Sequence, residues 1–396
     1  MEYQFSERVQ NLKPSVIREI LKYSSDPTVI PLSAGNPAPD AFPYDAISSL
    51  SAELLQNAPI EALQYSVTEG YLPLRQHLLR YMKEKYGAGT ETDDILITSG
   101  AQQVMDLLTK TLLNEGDTVL CEAPSFIGSL NTFRSYRARL VGIPMEADGI
   151  DVQQLEQALN TEKNVKYLYT IPNFQNPSGI TMSLAKRKKV YELCRDHNVI
   201  VLEDNPYGEL RFEGEPLPPI KSFDQEGVVM YAGTFSKVIA PGMRVGYAIG
   251  PKPLFQKMVV CKQGEDVHSN IWAQIVCHRF MTQYDYEAHL KSLQEIYRRK
   301  SKNLLDAMEQ HLKPLITWNK FEGGLFAWCT LPKEIDMMEF VNKALERHVC
   351  VVPGTAFLTH ENEPCSSFRI NYSTPTDKQV TEGIRILGEI AREMMP

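Results

Sequence analysis

One lysine stands in a short stretch with two hydroxyls and an arginine: Tyr231-Ala232-Gly233-Thr234-Phe235-Ser236-Lys237-Val238-Ile239-Ala240-Pro241-Gly242-Met243-Arg244-Val245-Gly246. The apolar runs Val228 to Tyr231 and Val245 to Ile249 flank it and predict two buried strands joined by a loop. A lysine held between buried strands is desolvated. That lowers its pKa and leaves a neutral amine able to attack a carbonyl. Thr234, Ser236 and Arg244 offer the donors that a phosphate group needs. An amine nucleophile beside phosphate donors points to a carbonyl cofactor that carries a phosphate, pyridoxal 5'-phosphate, held on Lys237 as a Schiff base. A Ser-x-Lys alone is too common to decide this, because most such lysines are simply solvated. Other stretches must agree with it.

Four do. Ser99-Gly100-Ala101-Gln102 is a Gly-containing turn that opens a helix, and a helix N-terminus presents free N–H groups and a positive dipole end to an anion. Asn173-Phe174-Gln175-Asn176-Pro177-Ser178-Gly179 follows an apolar run, and its Pro and Gly make a tight turn that holds Asn176 at a strand end. Glu203-Asp204-Asn205-Pro206-Tyr207 ends another apolar run. A carboxylate there is a partly buried charge that needs a cationic partner, such as a protonated pyridine nitrogen; the alternative is a helix N-cap. Phe368-Arg369-Ile370-Asn371-Tyr372 sets an arginine inside an apolar strand, where it calls for a carboxylate, either a substrate's or that of a structural ion pair.

The elements between these stretches must bring them together. From about residue 94 the chain alternates strand-like runs (Ile95–Thr98, Thr118–Cys121, Leu140–Ile143, Tyr167–Ile171, Val199–Leu202) with helical ones such as Leu184–His197. That alternation predicts an α/β fold, a mostly parallel sheet covered by helices on both faces, with ligands at the carboxyl ends of the strands. Helices are also expected over residues 11–25, 45–57 and 73–86. A long helical region at 285–311, a strand at Phe326–Thr330, a helix from Met337 to His348 and short strands at Val351-Val352 and Phe368–Ile370 predict a second, smaller α+β domain. The expected division is a large cofactor-binding domain over 46–284 and a small domain made of 1–45 and 285–396. Pro31-Leu32-Ser33-Ala34-Gly35-Asn36-Pro37-Ala38-Pro39 reads as an irregular segment, a linker or else a functional loop.

Composition narrows the classes. The 396 residues carry a net charge of −8 and are 43% hydrophobic and 23% charged, which suits a globular enzyme and argues against a nucleic-acid binder. No apolar stretch approaches the ~20 residues of a membrane span, and the N-terminus lacks the features of a signal peptide. The seven cysteines show no Cys-x-x-Cys, so no metal site and a reducing cytoplasm are expected. There is no Gly-x-x-x-x-Gly-Lys-Ser/Thr loop and no Gly-x-Gly-x-x-Gly fingerprint, which disfavours nucleotide binding.

Taken jointly, the stretches resemble the class I, fold-type I pyridoxal-phosphate aminotransferases. Within that class Leu63-Gln64-Tyr65-Ser66-x-Thr68-Glu69-Gly70-Tyr71, Phe174-Gln175-Asn176-Pro177-x-Gly179, Phe235-Ser236-Lys237-Val238, Met243-Arg244-Val245 and Lys262-Gln263-Gly264 are similar to the 2-aminoadipate and kynurenine aminotransferase subgroup. The resemblance implies that Lys237 carries the cofactor, Asp204 pairs with its pyridine nitrogen, and Asn176 and Tyr207 bind its phenolic oxygen. It further implies that Ser99, Gly100, Ala101, Gln102, Thr234, Ser236 and Arg244 surround the phosphate and that Phe126 stacks on the ring. Tyr65 would reach the phosphate of a neighbouring subunit, which implies a homodimer with shared sites. Arg369, Asn176, Gly35 and Asn36 would hold the substrate carboxylate. Arg18, one turn past Ser15, would meet a distal carboxylate, so that glutamate, 2-aminoadipate and aromatic or apolar amino acids are the expected donors and 2-oxoglutarate the acceptor. Three positions depart from the family pattern: Phe126 replaces a frequent Tyr, Ala101 a frequent Ser, and Ala34 a frequent Gly. The alternatives are a β-lyase on the same scaffold and the effector-binding domain of a transcription regulator. The second needs an additional winged-helix domain for which the N-terminus leaves no room.

Overall fold

A computed structural model of the chain describes residues 3–10, 26–360 and 363–396. The helix expected over 11–25, with Ser15 and Arg18, lies outside the described residues. In chain order the strands are β1 (Ile30–Pro31), β2 (Asp93–Thr98), β3 (Thr118–Ala123), β4 (Arg139–Glu146), β5 (Gly149–Ile150), β6 (Val165–Thr170), β7 (Ile200–Asp204), β8 (Val229–Thr234), β9 (Gly246–Pro251), β10 (Thr317–Trp318), β11 (Phe326–Thr330), β12 (Val349–Cys350), β13 (Val352–Pro353) and β14 (Ser367–Asn371).

Eight of them form the central sheet, in the order β2-β9-β8-β7-β6-β3-β4-β5. Strands β8, β7, β6, β3 and β4 run parallel, whereas β9 is antiparallel to both β2 and β8. Period-two alternation decides which residue faces which layer. Val119 and Cys121, Tyr167 and Tyr169, and Leu202 and Met230 enter one apolar cluster, while Leu120, Leu168, Val201 and Val229 enter another on the opposite face. Both faces are therefore covered, as a near-continuous apolar run requires.

The parallel strands deliver their loops to one edge. Thr170 pairs with Glu203 and Asp204 with Ala232, so the ends of β6, β7 and β8 lie side by side. Strand β9 runs the other way, and its first residue, Gly246, pairs with both Thr98 and Thr234. Arg244, two residues earlier, thereby joins the same edge.

A smaller antiparallel sheet, β10-β11-β14-β13, carries Arg369, which pairs with Trp328 on β11 and with Val352 on β13. The expected strand at Val351-Val352 is in fact two short ones, β12 and β13, and β12 pairs with β1. Three of the helices that follow β9 were not anticipated. Lys252–Gln263 and Ile271–Gln283 fill the region between the last large-sheet strand and the long helix Tyr286–His311. In the second of these Ile271, Ala273, Ile275, Val276, Cys277, Phe280 and Met281 are all buried. A helix wrapped on most sides shows little periodicity in sequence. The third, Asp377–Met394, opens with a capping box between Thr376 and Gln379, a signal that was present in the sequence.

Candidate active site

The loops at the carboxyl edge and the small sheet enclose a cavity of about 280 Å³. It is lined by Gly35, Asn36, Ala101, Gln102, Phe126, Asn176, Asp204, Tyr207, Thr234, Ser236, Lys237, Arg244 and Arg369, all singled out from the sequence, and by Met105, Ser129, Ile171, Pro206 and Phe326, which were not.

Lys237 follows β8 by three residues. Its Nζ donates to the Gly35 carbonyl at 2.8 Å, and among the described residues no carboxylate pairs with it. Burial, reinforced by the charges of Arg369 and Arg244, pulls its pKa down to about 8, so far more of the amine is neutral near physiological pH than in a solvated lysine.

Asp204 is the last residue of β7 and is 5% exposed. No helix begins there, which removes the N-cap alternative. Its Oδ2 accepts from the Tyr169 hydroxyl at 2.8 Å, and its Oδ1 has no partner. Burial raises its pKa to about 7. A carboxyl in this setting awaits a cationic N–H.

Asn176 joins two neighbours. Its Oδ1 accepts from Arg369 Nη1 at 2.7 Å and its Nδ2 donates to the Tyr207 hydroxyl at 3.5 Å. Arg369 also donates through Nη2 to the Ser33 carbonyl at 2.8 Å, while its Nε has no partner. Its guanidinium lies 4.1 Å from the Phe326 ring centre and 4.9 Å from that of Phe357. Among the described residues no acid pairs with it, so the structural ion-pair alternative finds no support, and burial lowers its pKa to about 10. Tyr207 is buried, which pushes its phenol pKa up.

At the far end the helix Ala101–Leu112 points its N-terminus into the cavity. The N–H groups of Ala101 and Gln102 carry no partner among the described residues. Gly100 has φ +79°, and a Cβ on it would lie 2.3 Å from Arg244 Nη2. A Cβ on Gly246 would lie 2.5 Å from the Gly100 carbonyl carbon. Both glycines are thus required for the two loops to meet. Arg244 donates to the Ser99 carbonyl at 3.0 Å, and Thr234 Oγ1 donates to Ser236 Oγ at 3.0 Å. The Gln102 side chain turns away, onto Thr132 Oγ1 at 2.7 Å. The Ser99 hydroxyl also turns away, onto Asp266 at 2.8 Å, so Ser99 and Gly100 do not line the cavity. Tyr65 is 82% exposed on the surface, with its ring 5.8 Å from that of His268.

Sequence reasoning missed two groups behind the cavity. Tyr169 was legible only as an apolar strand residue, yet its hydroxyl touches Asp204. Glu122 on β3 is fully buried, with a pKa raised to about 7 by that burial. It accepts from the Thr170 hydroxyl at 2.5 Å, the Ile171 N–H at 3.2 Å and Gln175 Nε2 at 3.1 Å, which fixes the turn that presents Asn176.

Among the described residues six buried side-chain polar atoms lack partners, and three of them, Asp204 Oδ1, Arg369 Nε and Ser129 Oγ, belong to residues that line this cavity. An anion cradle at one end, an amine of lowered pKa, an acid without a cation and a guanidinium without an anion together fit pyridoxal phosphate and an amino acid. The family model described as aminotransferase class I and II matches residues 27–387. The chain belongs to that family. It is a pyridoxal-phosphate-dependent aminotransferase of fold type I. Aromatic-amino-acid aminotransferase 1 of Thermococcus litoralis is 38% identical over all of this chain and 95% of its own length. The 2-aminoadipate transaminase of Thermus thermophilus is 33% identical over 99% of this chain and 97% of its own. The crystal structure of a kynurenine aminotransferase from Pyrococcus horikoshii is similar with a TM-score of 0.95 at 37% identity, covering 99% of this aminotransferase and 98% of that chain.

Proposed function

We propose that this aminotransferase moves the amino group of aromatic, apolar or dicarboxylic amino acids to 2-oxoglutarate, with Lys237 as the proton carrier. The carrying observation is the alignment, in one cavity, of an unpaired acid, an amine of lowered pKa and an arginine without an anionic partner.

When bound, pyridoxal phosphate supplies an electron sink conjugated to the substrate Cα. Its phosphate would be held by the N–H groups of Ala101 and Gln102, by Thr234 and Ser236, and by Arg244. Asp204 would pair with the ring nitrogen, Asn176 and Tyr207 with the phenolic oxygen, and Phe126 with the ring face. Arg369 would take the substrate α-carboxylate, with Phe326 and Phe357 on either side keeping water from the pair and Gly35-Asn36 closing over it. Lys237 Nζ, the amine of lowered pKa in the cavity, would take the proton from the substrate Cα and, as the ammonium, give it back to the product in the same half-reaction. The same residues then act in reverse on the acceptor, which gives a ping-pong cycle.

Substrate breadth rests on the apolar wall of Met105, Phe126, Ile171 and Phe326 and on the relatives that act on aromatic amino acids, 2-aminoadipate and kynurenine. Arg18 and Ser15 enter only through the sequence resemblance, as partners for a distal carboxylate. The exposed apolar side chains Tyr44, Leu55, Ile60, Leu63, Tyr65 and Val67 support a homodimer in which Tyr65 serves the neighbouring site. We also propose the division into a large domain over 46–284 and a small one formed by 1–45 and 285–396. No disulfide joins any of the seven cysteines among the described residues, which supports a cytoplasmic setting. No helix among the described residues is long and apolar enough to cross a membrane.

A panel of amino acids assayed with 2-oxoglutarate tests the reading. Turnover of phenylalanine, kynurenine, glutamate and 2-aminoadipate is expected. Release of ammonia and pyruvate from cysteine conjugates, without transfer to 2-oxoglutarate, would replace it with a β-lyase.

A further inference from the structure

Lys262 is the penultimate residue of the helix Lys252–Gln263, and its side chain is fully buried yet does not line the cavity. Its Nζ donates to Gln103 Oε1 at 2.7 Å, to the two Asp266 oxygens at 2.7 and 2.8 Å, and to Ser269 Oγ at 2.9 Å. All three of these neighbours hold Ser99, Ser269 through a contact of 3.0 Å between the two hydroxyls. Asp266 Oδ2 accepts from the Ser99 hydroxyl at 2.8 Å, and Gln103 Oε1 accepts from the Ser99 N–H at 2.8 Å. Gln103 Nε2 closes the ring of contacts onto Asp266 Oδ2 at 3.0 Å. The remaining polar group of Ser99, its carbonyl, accepts from Arg244 Nη2 at 3.0 Å. Every hydrogen-bonding group of Ser99 is thus committed, and Ser99 leads directly into Gly100-Ala101-Gln102.

We propose that Lys262 and Asp266 are positioning residues that set the shape of the phosphate cradle through Ser99, orienting both the free N–H groups after Gly100 and the Arg244 guanidinium. The proposal rests on the reading of that cradle as the phosphate site. The physical reason for such a device is that Arg244 is exposed on a loop at φ +53°, a conformation that holds only when its surroundings fix it. A buried ammonium fixed by an acid, an amide and a hydroxyl supplies a rigid reference point for an otherwise mobile guanidinium.

The test uses cofactor-free protein titrated with pyridoxal 5'-phosphate, read by the absorbance of the bound cofactor. Lys262→Met and Asp266→Asn are expected to raise the cofactor dissociation constant by about tenfold or more, the size usual for groups that orient a ligand's direct contacts. Ser99→Ala, which cuts one link, should move it in the same direction by less. At saturating cofactor, kcat and the KM for the amino acid should stay near wild type, because no catalytic group is touched. Arg244→Ala serves as the reference. If it leaves cofactor affinity unchanged, the cradle reading itself fails, and this proposal with it. If Arg244→Ala weakens binding while Asp266→Asn and Ser99→Ala do not, only the relay is overturned. A fall in thermal stability and kcat with unchanged affinity would likewise overturn it and leave Lys262 a plain structural lysine. Should Lys262→Met not fold, the Asp266 and Ser99 variants decide.

Discussion

Two lysines lie near the central sheet, and their surroundings are opposite. Lys221 is 1% exposed and saturated: its Nζ donates to Asp93 Oδ1 at 2.8 Å, Asp224 Oδ2 at 2.7 Å and the Val229 carbonyl at 2.9 Å. Lys237 has one neutral acceptor, the Gly35 carbonyl, and two arginines near it. The acids divide the same way. Asp224 accepts from Lys221 and from the N–H groups of residues 226–229, whereas Asp204 is left with one oxygen unmatched. A buried charge that is fully paired is costly to break and is chemically silent. A buried group left unpaired lowers stability and is held ready for a ligand.

The largest expected effect is at Lys237. Lys237→Ala should reduce transamination by about 10⁴-fold or more, since one group serves as both nucleophile and general base, and the absorbance of the lysine-bound cofactor should vanish. Steady-state assays and a spectrum check this; retained activity would end the comparison.

Lys221→Met should act on stability alone. It leaves two buried carboxylates without their cation, a loss of about 3–5 kcal/mol, to be measured by urea unfolding. The kcat of the folded fraction should not change. A drop in kcat with full stability would mean that the two lysines are not so different.

Asp204→Asn separates the two roles at one residue. With cofactor bound, proton abstraction should slow by about 2–4 kcal/mol in the barrier, the size of one preorganised electrostatic group, as read in single-turnover experiments. Without cofactor the variant should be more stable than wild type. The Asp204 pKa is raised to about 7 in the fold, so the folded protein keeps a proton that the unfolded chain has lost. Wild-type apoprotein therefore loses stability as pH rises from about 4 to about 7. The Asn variant should gain about 1–3 kcal/mol over it at pH 8, the cost of an unpaired buried polar group, and this advantage should fade toward pH 4.

The smallest effect is a pH profile. Burial puts Lys237 at about 8 in the cofactor-free protein. The rate of pyridoxal phosphate capture should rise as the amine loses its proton, with its inflection near pH 8. An inflection near 10 would show an ordinary solvated lysine.

Much of this was legible in the chain. Apolar runs bounded by Gly and Pro located β2, β3, β6, β7, β8, β9, β11 and β14 to within a few residues, because strand period and turn chemistry are local. The motif residues Lys237, Asp204, Asn176, Tyr207 and Arg369 were legible as chemically odd side chains at the ends of, or within, apolar runs. Tyr169 and Glu122 were not, since a tyrosine or glutamate in a strand carries no sign of which atom it will touch. The same holds for Ser99, whose hydroxyl goes to Asp266 across 167 positions of chain.

The sequence by itself determined the strand–helix alternation, the identity of the amine and the acid, and the glycines that let Gly100 and Gly246 approach. Those follow from backbone sterics and side-chain chemistry within a few residues. Only the tertiary structure decided which charges found partners. Lys221 and Lys237 both lie in or beside apolar sequence, but Asp93 arrives at Lys221 from 128 positions away, and no acid among the described residues arrives at Lys237. Pairing depends on the order β2-β9-β8-β7-β6 and on the fold of the small sheet over the large one, long-range contacts that no local pattern encodes.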